Sequence, residues 1–241
     1  MDYGLQLYSV RDVTGTDLEG TLKKVAEIGY RYVEFAGFFG HSAEEVKAML
    51  DRYGLIVSGT HSGLGDLDAD FAGTVKYHKI IGNTNYIVPG APTWTAAELD
   101  ETIEKLKKYQ PMLEAEGIRL AYHNHDGEFK PNADGQIPHE EMERRTNIDF
   151  QIDTFWAFVA GKDPVEVITR LKDRVHVIHL KDGLRNGHGY ALGEGEAPVA
   201  AVRAKAIELG MHMVVESETL QPDGISEATR CINYLKSLEK Q

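Results

Sequence analysis

Three segments in the second half of the chain decide the fold: IRLAYHNH at 118–125, NIDFQIDT at 147–154 and VHVIHLKD at 175–182. Each is a short, largely apolar run, which is typical of a buried strand, and each ends in polar residues. Five similar segments occur elsewhere, namely GLQLYSV from Gly4, RYVEFAG from Arg31, LIVSGTHSG from Leu55, TNYIVPG from Thr84 and MHMVVESE from Met211. The sequence therefore predicts eight strands.

Amphipathic helical patterns lie between the strands, at 17–29, 42–54, 95–117 and 164–174. Several begin at Asp, Ser or Thr and end at Gly, as capped helices do. Strands alternating with helices predict a parallel sheet, and no Gly-rich nucleotide motif follows the first strand. We therefore expect an α/β fold, a closed (β/α)8 TIM barrel, forming a single domain over residues 1–241. Residues 126–144 are predicted to form an active-site loop followed by a short helix.

The composition excludes several classes of function. The 38 acidic residues outnumber the 26 basic ones, and a net charge of −12 opposes binding to a nucleic acid backbone. No apolar run approaches the roughly 20 residues that span a bilayer, and the first residues lack the features of a signal peptide. We expect no membrane association and a cytoplasmic protein. Its single cysteine, Cys231, is expected to be a buried apolar side chain.

Polar side chains collect at the predicted carboxyl ends of the strands. In a barrel these ends surround one cavity, so we expect the residues to form one site. They are Glu34, His61, His123, His125, Asp153, His179, Lys181, Glu216 and Glu218. Strand alternation places Gln151 on the same face as Asp153, and Glu216 on the same face as Glu218.

So many buried charges require a counter-ion, and one divalent cation is the simplest. A mixed oxygen and nitrogen ligand set suits Mn, Zn, Co, Mg or Fe, and the sequence does not rank these metals. The other six histidines are expected to be hydrogen-bonded in the core or at the rim. Asp182 is interpreted as the cap of the next helix.

Five pieces of the chain carry a family resemblance: YHNHDGEF at 122–129, IDTFWAFVAGKDP at 152–164, VIHLKD at 177–182, GEGE at 193–196 and VVESE at 214–218. With them the chain resembles the xylose isomerase-like barrel superfamily over nearly its whole length. The similarity is to the HNHD-type subgroup of its sugar phosphate isomerase/epimerase branch, a branch that also includes inosose dehydratases and ketose 3-epimerases.

This resemblance implies that Asp153, His179 and Glu216 bind one metal ion. A Glu that the epimerases have after strand five is replaced by His123. The fourth ligand is then His123, a displaced carboxylate such as Glu128 or Glu34, or water, and we predict His123. The DNA-repair endonucleases of the superfamily use a three-metal cluster, and the acidic charge argues against that role here.

Two further positions bear on the substrate. Trp156 stands where the epimerases have a histidine, which argues against simple ketose 3-epimerisation. Arg185 matches an arginine of the epimerases and is suited to a hydroxyl, carboxylate or phosphate oxygen. Glu34, His61 and His125 are further candidates for binding substrate, and an apolar wall is predicted from Phe38, Phe155 and Trp156.

The first function hypothesis is a divalent-metal-dependent isomerase or epimerase acting on a sugar or keto-sugar through an enediolate, with Glu216, Glu128 and Lys181 as candidate catalytic residues. The alternative is a metal-dependent lyase or dehydratase acting on a keto-inositol or 3-keto-glycoside. A third is a non-catalytic sugar-binding barrel, which needs no metal. In each case the expected partner is a small carbohydrate, and a homo-oligomer is possible.

Overall fold

The computed structural model describes residues 1–240 and contains a closed barrel of eight parallel strands. The strands are β1 Gly4–Gln6, β2 Tyr32–Phe35, β3 Ile56–His61, β4 Asn85–Val88, β5 Arg119–His123, β6 Asp149–Asp153, β7 Val175–Leu180 and β8 His212–Val215. Each strand pairs with the next along the chain, and β8 pairs with β1 to close the barrel. The predicted (β/α)8 architecture is confirmed.

Helices surround the barrel and connect successive strands. They are α1 Arg11–Thr14, α2 Leu18–Ile28, α3 Ala43–Tyr53, α4 Leu64–Ile81, α5 Ala96–Glu114, α6 Pro138–Arg145, α7 Thr154–Val159, α8 Pro164–Arg170, α9 Val199–Leu209 and α10 Gly224–Leu238. Short 3-10 turns cover Leu7–Val10 and Gly127–Phe129, and residues 182–183 pair with 189–190 in a small antiparallel ribbon. The buried residues form one continuous core between the barrel and its helices.

The helix ends follow from local sequence. Ser42 and Thr95 form capping boxes at the starts of α3 and α5, each with a Glu three residues later. The chain leaves α2 and α3 through Gly29 and Gly54, whose positive φ angles favour glycine. The predicted boundaries at these positions are confirmed, whereas α8 ends four residues earlier than predicted, at Arg170.

Strand register brings the polar residues to one level of the barrel. His123 at the end of β5 pairs with Gln151, and Asp153 at the end of β6 pairs with His179 of β7. Because these side chains share the carboxyl end of a closed barrel, they lie close together in space. The loop after β5 is followed by the short helix α6, as predicted.

Asp182 corrects one expectation, because no helix begins beside it. Its buried carboxylate accepts hydrogen bonds from the backbone N–H groups of Gly183, Gly193, Gly195 and Ala197, at 2.8 to 3.1 Å. The group satisfies the backbone of the GEGE segment, which leads to α9. Asp182 therefore stabilises a loop rather than a helix end.

Of the six other histidines, His78 is hydrogen-bonded in the core to Thr60 and Asn83 as expected, whereas His139 is buried without such a bond. Its ring, 1% exposed, lies between the rings of Phe129 and Phe150, with centroids 4.5 and 4.6 Å away. Neither ring nitrogen has a hydrogen-bond partner among residues 1–240. Burial lowers the pKa of His139 to about 3, so this histidine is neutral and packs as an aromatic side chain.

Within residues 1–240, no helix combines the length and the apolar character needed to cross a membrane. Cys231 is buried in α10, where its sulfur accepts a hydrogen bond from the backbone of Leu192 at 3.3 Å.

Candidate active site

Four buried side chains meet at the carboxyl end of the barrel: His123, Asp153, His179 and Glu216. They come from β5, β6, β7 and the residue after β8, and one ligand atom of each lies within 4.8 Å of the others. The structure thus brings together all four residues that the sequence predicts as metal ligands. A second possible group, His61 with His123 and His179, overlaps this cluster.

One carboxylate oxygen of the cluster, on Asp153, has no hydrogen-bond partner. Asp153 Oδ1 accepts a hydrogen bond from the backbone N–H of Trp156 at 2.9 Å, while the buried Oδ2 atom has no partner among residues 1–240. Burial raises the pKa of Asp153 to about 6, and Glu216 adds to this, against the effect of Lys181. An unpartnered buried carboxylate oxygen is costly unless a cation binds it, so these residues fit a divalent metal ion.

Carboxylates face both nitrogens of the His179 ring. Its Nε2 atom lies 2.6 Å from Glu34 Oε1, and its Nδ1 atom lies 3.3 Å from Glu216 Oε2 and 4.0 Å from Asp153 Oδ2. Burial would lower the pKa of His179, but Glu34 and Glu216 outweigh it and raise the pKa to about 10. Without metal the ring is therefore protonated, and a metal ion that replaced the Nδ1 proton would meet the same two carboxylates while Nε2–H still donates to Glu34.

Glu34, a predicted substrate-binding residue, lies in the layer beneath this cluster and is completely buried. Its Oε1 atom is within 3.1 Å of nitrogens of Gln6, His61 and His179, and its Oε2 atom accepts from Gln151 Nε2 at 2.6 Å. Glu34 therefore holds the cluster from below and does not line the cavity.

Lys181 connects two acidic side chains beside the cluster. Its buried Nζ atom lies 2.8 Å from Glu218 Oε1 and 3.3 Å from Glu216 Oε2, and 4.8 Å from the centre of the Trp156 ring. Burial would lower the pKa of Lys181, but Glu216 and Asp153 outweigh it and raise the pKa. Lys181 is thus a fixed ammonium group, and Trp156 packs against it.

Lys181 and His179 also act on Glu216. Burial would raise the pKa of this carboxyl group, but the two neighbouring cations hold the pKa well below its ordinary value. Glu216 is therefore ionised.

A cavity of about 390 Å³ opens above the cluster. It is lined by Tyr8, Ala36, His61, Pro89, His123, His125, Glu216 and Glu218. These residues lie at or just after the carboxyl ends of β8 and of β1 to β5, and none comes from β6 or β7. The predicted residues His61 and His125 face this cavity, and its lining includes two carboxylates but no lysine or arginine.

Glu128 and Arg185 lie outside the cavity lining. Glu128 Oε1 accepts from the Tyr122 hydroxyl at 3.2 Å, and its Oε2 atom accepts from the backbone N–H of His125 at 2.9 Å. Arg185 stacks on the Phe158 ring at 3.9 Å and donates to the Phe158 carbonyl oxygen at 3.0 Å. Both side chains are used in holding loops.

None of the three residues predicted to form an apolar wall, Phe38, Phe155 and Trp156, lines the cavity. Phe155 is completely buried, and Phe38 packs against Tyr77 with ring centroids 4.3 Å apart. Tyr8, Ala36 and Pro89 supply the apolar part of the cavity lining instead. They lie on the loops after β1, β2 and β4, where the sequence pattern contains no metal-ligand residue to mark them.

Asn124 is a residue of the candidate site that the sequence reasoning missed. Its side-chain Nδ2 donates to the carbonyl oxygen of Asp153 at 3.2 Å, and its Oδ1 accepts from the backbone N–H of Asp153 at 3.1 Å. This paired contact fixes the backbone that carries a candidate ligand. Its position between His123 and His125 was the available signal.

The chain is similar to known proteins in both sequence and structure. The family described as xylose isomerase-like TIM barrels matches residues 22–237. The chain belongs to this family. A solved structure described as a sugar phosphate isomerase/epimerase, from Parabacteroides distasonis, superposes with a TM-score of 0.84 at 24% identity, over 98% of this chain and 97% of that one. At this identity the similarity establishes the fold alone.

Two proteins of named function are similar in sequence. Inosose dehydratase of Geobacillus kaustophilus is 25% identical over 186 residues, which are 67% of this chain and 60% of that protein. The rhizopine catabolism protein MocC of Rhizobium meliloti is 23% identical over 189 residues, 69% of this chain and 58% of that protein. The alignment thus spans about 60% of the length of these relatives. The comparisons thus establish the family of this chain, and the activities named for these two relatives are those of the relatives.

Proposed function

We propose that this protein is a divalent-metal-dependent isomerase or epimerase that removes a proton from the carbon beside the carbonyl of a sugar or keto-sugar. The buried set of His123, Asp153, His179 and Glu216 beneath the cavity carries the proposal. A divalent cation held by these side chains would supply a Lewis acid that polarises the substrate carbonyl. Without such stabilisation the enediolate forms slowly.

Glu216 takes the proton in this proposal. Its side chain lines the cavity, and its Oε2 atom faces Lys181 and His179. The Oε1 atom has no protein hydrogen bond among residues 1–240, so it is the atom available to substrate. Lys181 keeps the carboxylate ionised and in place, and because it stays protonated it does not act as the base.

The cavity lining supports an uncharged substrate. His61 and His125 are the proposed partners of substrate hydroxyl groups, and Tyr8 supplies an apolar surface for C–H groups. A phosphate group would meet Glu216 and Glu218 without a lining cation to bind it. We therefore expect a sugar rather than a sugar phosphate.

A second candidate is a lyase or dehydratase acting on a keto-inositol or 3-keto-glycoside, and the similarity to inosose dehydratase favours it. Epimerisation at one carbon needs proton transfer on both faces, and His123 replaces the carboxylate that the epimerases have on β5. In elimination, the electron pair left on carbon forms a double bond as a neighbouring hydroxyl or alkoxyl group departs. His125, at the cavity surface, would protonate the departing oxygen, in place of the sequence-predicted Glu128 and Lys181.

The test is a panel of keto-sugars, inososes and 3-keto-glycosides, incubated with Mn²⁺ and protein in deuterium oxide and followed by NMR. Deuterium at the reacting carbon of an isomerised product supports the first candidate, and loss of water or of an aglycone supports the second. Complete retention of hydrogen indicates hydride transfer and refutes proton removal.

Glu216→Gln should abolish turnover, whereas Glu208→Gln, an exposed control on α9, should not. A sugar that binds unchanged to metal-free protein, with no turnover on the panel, would instead identify a sugar-binding barrel.

A further inference from the structure

Gln151 lies on β6, two residues before Asp153, and its side chain is buried beneath the metal-ligand cluster. The amide contacts three of its neighbours. Its Oε1 atom lies 2.8 Å from His61 Nε2 and 3.0 Å from His123 Nδ1, and its Nε2 atom lies 2.6 Å from Glu34 Oε2. Neither the family resemblance nor the comparisons assign a role to this residue.

The orientation of the amide follows from Glu34. Glu34 Oε1 already accepts a hydrogen bond from Gln6 Nε2 at 2.7 Å and lies 2.6 Å from His179 Nε2, as expected of a carboxylate that only accepts. The NH2 group of Gln151 must therefore face Glu34, and its carbonyl oxygen must face the two imidazole rings. An amide oxygen only accepts, so both facing ring nitrogens donate.

This orientation determines which nitrogen of each candidate ligand is free. In His123 the proton lies on Nδ1, so Nε2 carries the lone pair. In His179 the Nε2–H group donates to Glu34, so Nδ1, which faces Glu216 and Asp153, is the nitrogen that would give up its proton to a metal ion. One connected pair, Gln151 and Glu34, thus holds the Nδ1–H group of His123 and the Nε2–H group of His179, and leaves the opposite nitrogen of each ring for a metal ion.

We propose that Gln151 is a positioning residue that fixes His123 as its Nδ1–H tautomer and so presents the Nε2 atom to the metal ion. This inference rests on the proposed metal site. The tautomer itself forms without metal, because all three contacts of Gln151 are made by the protein alone. Its replacement should weaken metal binding although Gln151 is no ligand.

The test uses the full chain labelled with ¹⁵N-histidine, measured without metal by long-range ¹H–¹⁵N NMR and then titrated with Mn²⁺. Gln151→Met keeps the length of the side chain but removes both hydrogen-bonding groups. Gln151→Glu keeps an acceptor for the two imidazoles and, with its carboxyl group protonated, a donor to Glu34; Gln110→Met is a control on the surface helix α5.

We expect the Nδ1–H tautomer of His123 in the wild type, in Gln151→Glu and in Gln110→Met. Gln151→Met should lose this tautomer preference and bind Mn²⁺ about 10- to 100-fold more weakly. The proposal is overturned if Gln151→Met keeps both the tautomer and the wild-type affinity, or if the wild-type ring carries its proton on Nε2.

Failure of the metal site gives a different result. A wild type that does not bind Mn²⁺ refutes the proposed function, while the metal-free spectra still support or overturn the positioning role. Thermal unfolding monitors the fold of each variant, and Gln151→Glu provides the rescue if Gln151→Met unfolds.

Discussion

Asp153→Asn should weaken metal binding and, in metal-free protein, increase stability. The carboxylate is completely buried, and burial raises its pKa from 3.8 to about 6. At about 1.4 kcal/mol for each pH unit, the ionised group costs about 3 kcal/mol of folding stability. The folded pKa lies above the unfolded one. The wild type is therefore free of this cost below pH 4, where Asp153 is protonated, and loses the corresponding stability as the pH rises through 6.

Urea unfolding of chelator-treated protein from pH 4 to pH 8 measures this effect. At pH 8 the Asp153→Asn variant should be about 3 kcal/mol more stable than the wild type, or about 6 to 12 °C higher in Tm for a chain of this size, and the difference should vanish near pH 4. With saturating Mn²⁺ the order should reverse, because binding stabilises only the folded protein that has the site. A variant that matches the wild type at pH 8 without metal and binds Mn²⁺ equally well would refute the reasoning.

Three further perturbations test the remaining parts of the structure. Lys181→Met removes the ammonium group that contacts both Glu216 and Glu218. We expect the free energy of unfolding in urea at pH 7 to fall by about 3 to 5 kcal/mol and kcat to fall at least 100-fold. Unchanged values would contradict the bridging role of Lys181. His139→Phe should remove a loss of folding stability in acid. The folded pKa of His139, about 3, lies below the unfolded 6.5, so the wild type should lose about 3 kcal/mol of unfolding free energy between pH 6.5 and pH 4. An equally steep loss in the variant would refute this. The protein should not shift duplex or abasic DNA in a gel at low salt, where its net charge of −12 repels phosphate most strongly, and Glu216-dependent cleavage of abasic DNA would contradict this expectation.

The barrel and the ligand cluster could be predicted from sequence because both depend on strand periodicity. Side chains alternate along a strand, and all carboxyl ends of a parallel barrel face one cavity. Locating the strands in the sequence was therefore enough to place Asp153 and His179 in the site. The depth of a side chain was not predictable in the same way. Glu34 points inward as its strand position indicates, but register places it beneath the cluster, in contact with His179 and Gln151.

The roles of loop residues could not be read from sequence, because a long side chain contacts whichever backbone the loop brings near. Glu128 lies in a 3-10 turn that presents the N–H of His125 to its carboxylate, and Arg185 reaches the last turn of α7. Asp182 was wrong as a helix cap for the same reason, because a loop rather than a helix follows it. These contacts depend on tertiary packing and not on spacing.

His123 in place of the family's usual glutamate alters the charge of the proposed site in a way that suits proton removal. Asp153 and Glu216 carry two negative charges, which one divalent cation balances, and His123 adds a ligand atom without adding charge. Glu34 is not part of the cavity lining, and its carboxylate is already surrounded by side-chain nitrogens. A third carboxylate among the ligands, as in the epimerases, would make this ligand set more negative by one charge. The substitution is therefore compatible with enediolate chemistry, and it removes the second carboxylate base that epimerisation at one carbon would use.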